Sequence, residues 1–85
     1  MKLLNLKEIK IGGLIYKIEY KDLEESLGRT EYAKQIIQID NKQTKEQQEA
    51  TLVHEILHCS NNQRSELETE ALAQSIYQIL KDNKL

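Results

Sequence analysis

Proline, tryptophan and phenylalanine are absent from this chain, glycine occurs three times and cysteine once. The lone Cys59 excludes a disulfide framework and a four-cysteine zinc site, and makes a reducing, cytoplasmic compartment the expectation. No apolar run exceeds three residues, so no segment reads as membrane-spanning. Met1-Lys2-Leu3-Leu4-Asn5 offers neither a long apolar stretch nor a small-residue cleavage site, and does not read as a secretory signal. The net charge of −2 gives no overall electrostatic reason to bind nucleic acid.

What remains suits one small folded domain spanning residues 1–85. Apolar residues make up 39% of the chain and charged residues 31%, with both signs mixed, a balance more typical of folded than of disordered chains. A chain of this length buries only about 60% of its unfolded surface. The four aromatic residues are Tyr16, Tyr20, Tyr32 and Tyr77. Residues 1–21 hold five Lys and two Glu, and residues 22–85 hold seven Lys/Arg and twelve Asp/Glu. That asymmetry reads as two solvated faces, or as a basic sheet edge that meets a partner.

Residues 1–40 read as β-hairpins. Leu14, Tyr16, Ile18 and Tyr20 alternate with Ile15, Lys17, Glu19 and Lys21, the period of a half-buried strand. Ile9 and Ile11 flank Lys10 in a shorter run before it. Gly12-Gly13 between the two runs is a hairpin signal, because both residues accept positive φ. Arg29–Tyr32 and Ile36–Asp40 form a second candidate hairpin, connected by Ala33-Lys34-Gln35. Residues 44–59 and 65–82 read as helices. Thr44 with Gln47, and Ser65 with Glu68, are capping-box patterns. The first helix keeps Ala50, Val53, Ile56 and Leu57 at helical spacing, and the second carries Leu67, Ala71, Leu72, Ile76, Ile79 and Leu80 as its apolar side. The expected class is α+β: a small antiparallel sheet of three to four strands packed on two C-terminal helices.

His54-Glu55-Ile56-Leu57-His58 is an H-E-x-x-H motif inside the first of these helices. Residues four apart share a helix face, so the two imidazoles can converge on one metal ion. Glu55 beside them can act as general base toward a water on that metal. Chance places a chain's only two histidines and an adjacent Glu in this pattern in about one case in 300. A metal held by two His needs a third protein ligand. Positions 61 and 64 are Asn61 and Arg64, so the extended pattern with a third histidine is absent. Cys59 points about 100° away around the helix and reads as a packed small residue. The second helix offers Glu66 and Glu70 on one face, whereas Glu68 is engaged in the capping box. Glu70, with small Ala71 and Ala73 after it, is the preferred ligand. Glu66 is the alternative, or a second carboxylate that orients a histidine. Tyr77, seven residues beyond Glu70, reads as core or as a contact to a substrate oxyanion.

The run from His54 to His58 followed by Glu70-Ala71 resembles the zinc-metallopeptidase domain of the ImmA/IrrE type. It is closer still to short phage and prophage proteins that share an H-E-x-x-H…E core. Ile76-Tyr77-Gln78-Ile79-Leu80-Lys81-Asp82-Asn83 matches their second helix, and Ile37-Gln38-Ile39-Asp40 their last strand. The resemblance covers roughly residues 9–83. It implies a minimal gluzincin core with one Zn2+ per chain. His54, His58 and Glu70 are the zinc ligands it implies, and Glu55 is the general base in hydrolysis of a peptide bond by zinc-bound water. It further implies a protein or peptide substrate or partner in a bacterial cytoplasm. Two other readings stand beside the peptidase. One is a non-catalytic interaction module in which the metal is structural. The other is a helical adaptor without metal.

Overall fold

The structure, a computed structural model, describes residues 3–84. A 3-10 turn at Leu3–Asn5 leads into four strands, β1 (Glu8–Ile11), β2 (Leu14–Lys21), β3 (Gly28–Glu31) and β4 (Ile36–Asp40). Helices α1 (Lys45–Ser60) and α2 (Glu66–Asp82) follow. The fold is α+β, with the sheet N-terminal and both helices C-terminal.

Both expected hairpins form. Gly12 and Gly13 take φ of 58° and 85° and turn β1 onto β2, which pair antiparallel with Ile9 opposite Tyr16. β3 and β4 pair antiparallel through a tight turn in which the Gln35 N–H donates to the Tyr32 carbonyl at 3.2 Å. The sheet is mixed, however, not wholly antiparallel as expected. Its order is β1-β2-β4-β3, and β2 and β4 run parallel from Lys17↔Ile36 to Lys21↔Asp40. The connection after β2 steps over one strand position, about 10 Å at normal strand spacing, and places β3 on the edge. The second hairpin then folds β4 back into the slot. The alternation within each strand carries no signal for this, because parallel and antiparallel neighbours demand the same period of two.

Burial explains why β4 takes the central slot. Ile37 and Ile39 are fully buried, and with Tyr16, Ile18 and Leu52 they make the core between the sheet and α1. Leu3, Leu6, Ile9, Tyr20, Ile56 and Cys59 pack around it. On the sheet's other face, Arg29 donates to Gln38, and Gln38 donates to Glu19 at 2.9 Å.

Thr44 caps α1 with both halves of a capping box, and Ser65 caps α2 through the Glu68 N–H. α2 packs on α1 alone among the described elements. The apolar side expected for it faces inward only in part: Ile76 and Leu80 are half-buried, while Leu67 is 81% exposed and Ile79 57%. Its buried residues are Thr69 and Ala73. These small side chains lie against α1, and Glu66 and Glu70 reach its histidines from the exposed rim of that contact. No described helix is long and apolar enough to cross a membrane.

Candidate metal centre

His54 and His58 sit one turn apart on α1, each with 14% of its side chain exposed. Their Nε2 atoms lie 3.0 Å from each other, and the rings meet edge to face with centroids 4.7 Å apart. Glu66, in the first turn of α2, straddles the pair. Its Oε1 is 2.7 Å from His54 Nε2 and its Oε2 is 3.1 Å from His58 Nε2. Glu70, the preferred third ligand on sequence grounds, is placed on the other side of His54, with Oε2 2.9 Å from Nδ1. The α-hairpin explains the exchange. The connection between the helices is short, so the first turn of α2 lies against the last turns of α1. Glu66 therefore meets both histidines, and Glu70, one turn further on, meets only His54.

A count of protons shows what these atoms can do. A neutral imidazole has one N–H. If His54 donates it from Nδ1 to Glu70, its Nε2 is a lone pair 2.7 Å from Glu66 Oε1. Two acceptors this close need a cation, an extra proton or a second donor between them. Ligand bonds of about 2.0–2.1 Å at tetrahedral angles separate neighbouring donors by about 3.3 Å, close to the distances here. His54, His58 and Glu66 each bring one donor atom within 4.8 Å of the others, so these residues could hold a metal ion. The two imidazoles beside Glu66 hold its carboxyl below the usual carboxylate range. Glu66 is 76% exposed, so as an ordinary ion pair it would contribute at most about 1 kcal/mol. Fold stability alone is a weak reason for the cluster.

Glu55 is buried, at 8% exposure, and accepts a hydrogen bond from Thr30 Oγ1 at 2.8 Å. It stays outside the three-residue cluster and lines a cleft of about 280 Å3 beside it, together with His54, Glu66 and Glu70. The opposite wall is the start of edge strand β3, where Gly28 is required by spacing. A Cβ there would lie 2.5 Å from Thr51 Cγ2 and 3.4 Å from Glu55 Cγ.

No family model, curated protein or solved structure matches the chain.

Cys59 packs against the core as expected, and burial pushes its thiol pKa up. Tyr77 is not at the centre. Its hydroxyl donates to Glu49 at 2.9 Å, and burial together with Glu49 pushes its pKa up to about 12. Seven residues along a helix is about 10.5 Å, and because α2 runs back along α1 this carries Tyr77 to the N-terminal turns of α1. Sequence reasoning missed Thr30 and Gly28 as parts of the site. A single Thr or Gly in a short strand signals nothing until the helix it faces is known.

Proposed function

We propose that this protein is a zinc-dependent peptide hydrolase, with His54, His58 and Glu66 holding the metal. The convergence of three donor atoms next to a separate buried carboxyl, Glu55, carries the reading. When bound, zinc would polarise a peptide carbonyl and lower the pKa of an attacking water toward 7. The protein's residues supply the rest. Glu70 accepts the His54 Nδ1 proton and so fixes the tautomer that leaves Nε2 free. Glu55 takes the proton from the water and can pass it to the leaving amine. β3 ends the sheet, and an extended peptide could pair with its free edge. The substrate or partner is then a protein segment able to lie flat across the cleft.

One observation favours a second reading, a zinc-binding interaction module. α2 buries only Thr69 and Ala73 and packs on one helix, so a metal shared by α1 and α2 would itself hold α2 in place.

Elemental analysis of protein purified without chelator should give close to one zinc per chain. Absence of zinc, together with no uptake of added zinc, rejects both readings. Glu66→Gln should weaken zinc affinity by about 100-fold or more and Glu70→Gln by about tenfold, as for an orienting carboxylate. The reverse order would return Glu70 to the ligand set. Glu55→Gln should keep the zinc and the fold. Co-expression of wild type and Glu55→Gln with candidate partner proteins, read by mass spectrometry of new N-termini, separates enzyme from module. Cleavage seen only with wild type supports hydrolysis, and no difference supports the module.

A further inference from the structure

Glu55 presents a chemical problem that the proposed centre does not solve by itself. A carboxyl group one residue past a ligand starts about 100° away around the helix, but a glutamate side chain is long enough to swing back and coordinate a metal in the cleft it shares. Bound to the ion it could accept no proton from water. Something must hold it close without letting it coordinate.

We propose that Thr30 on β3 is a positioning residue that keeps Glu55 out of the metal's coordination sphere; this rests on the zinc reading above. Thr30 Oγ1 donates to Glu55 Oε1 at 2.8 Å, from a strand 25 residues away in sequence. The hydroxyl has a single proton, and Cys59 Sγ lies 4.0 Å from Thr30 Oγ1 as a donor. The threonine proton is the one donated to Glu55. Gly28, two positions earlier on the same face of β3, has no side chain to push α1 away, and Glu55 Cγ passes over it. The tie therefore reaches Glu55 from the strand edge and not from α1, and Glu55 stays outside the group that His54, His58 and Glu66 form. Glu66, which has no such tie, is the carboxylate left to coordinate.

Cobalt(II) in place of zinc provides the test, because its visible band is strong in four-coordinate sites and weak in sites of higher coordination number. Wild type loaded with one equivalent of Co2+ should show the strong band. Thr30→Val, which keeps the shape and removes the donor, should bind Co2+ with an altered band as Glu55 swings in, weaker where Glu55 adds to the four ligands and shifted where it displaces the bound water. Thr30→Ser should restore it. Thr30→Val with Glu55→Gln should also restore it, since the amide is a poor ligand. A purely structural Thr30 would lower the melting temperature and leave the spectrum unchanged. An unchanged Thr30→Val spectrum therefore overturns this proposal and leaves the zinc reading intact. Failure of wild type to bind Co2+ overturns both. Thr30→Ala carries the same test if valine disturbs the strand.

Discussion

Thr69 shows what one side chain can cost. It is fully buried between the helices, and its Oγ1 has no hydrogen-bond partner among the described residues. A buried hydroxyl left without a partner loses its hydration without recompense, about 1–3 kcal/mol. Thr69→Val keeps the shape and removes the polar atom. It should stabilise the protein by about 1 kcal/mol, which is a rise of roughly 4–8 °C in Tm at this size. A Tm that falls would mean that the hydroxyl is satisfied by water. Gly28 makes the complementary point. Gly28→Ala should cost about 1–3 kcal/mol by overpacking, because the new methyl meets Thr51 Cγ2. Thr51→Ser removes that methyl and keeps the hydroxyl that donates to Gln43 Oε1. The double variant should therefore recover part of the loss, read as a coupling of roughly 0.5 kcal/mol or more in a double-mutant cycle. Strict additivity would show that the strand, not Thr51, absorbs the added atom.

At the scale of elements, α1 and α2 differ in what secures them. α1 buries Leu52 against the sheet and Val53 as well. α2 has Thr69 and Ala73 buried, an ion pair from Lys81 Nζ to Glu46 at 2.7 Å, and the Tyr77–Glu49 hydrogen bond. α2 should accordingly exchange its amide hydrogens faster than α1 in chelator. Zinc at 100 times its Kd should stabilise the fold by about 2.7 kcal/mol and slow exchange in α2 most, an effect that Glu66→Gln should remove. Equal slowing in both helices would show that the metal does not tie α2 to α1 preferentially. The boundaries of both helices were legible in the sequence, because Thr44 and Ser65 cap locally. The inward side of α2 was legible only in part. The spacing marks Ile76 and Leu80, which are half-buried, but it also marks Leu67 and Ile79, which are exposed, and only the contact with α1 picks out Thr69 and Ala73 as the buried positions.

For the whole molecule, one cluster ties the connection after β2 to the end of β4. Lys42 Nζ donates to Asp22 and to Asp40, the latter at 2.9 Å, and Asp40 Oδ1 also accepts from the Leu23 N–H at 3.2 Å. Lys42 holds the carboxyls of Asp22 and Asp40 below their usual range, and they hold the Lys42 ammonium above its own. For a depressed carboxyl the stabilisation is present above the unfolded pKa, near 4, and is lost as pH falls through the lower folded value. For the raised ammonium it is present below the unfolded pKa, near 10.4, and is lost as pH rises through the higher folded value. The cluster should thus contribute steadily between about pH 5 and 9. Lys42→Met should lower stability at pH 7 and make acid unfolding begin at higher pH, followed by circular dichroism. An unchanged acid midpoint would show that the cluster does not hold the loop.

The sequence by itself determined what depends on neighbours within a few residues. The Gly12-Gly13 turn, the alternation from Leu14 to Lys21, the capped helix ends and the i, i+4 pairing of His54 with His58 all follow from local backbone geometry, which is the same in every fold. The tertiary structure decided the parallel pairing of β2 with β4, the choice of Glu66 over Glu70 beside the two Nε2 atoms, and the contact between Thr30 and Glu55. Each of these is a meeting of segments whose separation is set by how the elements stack. A glutamate one helical turn further along satisfies the same sequence pattern while lying about 6 Å further along the helix, more than twice the length of a metal–ligand bond.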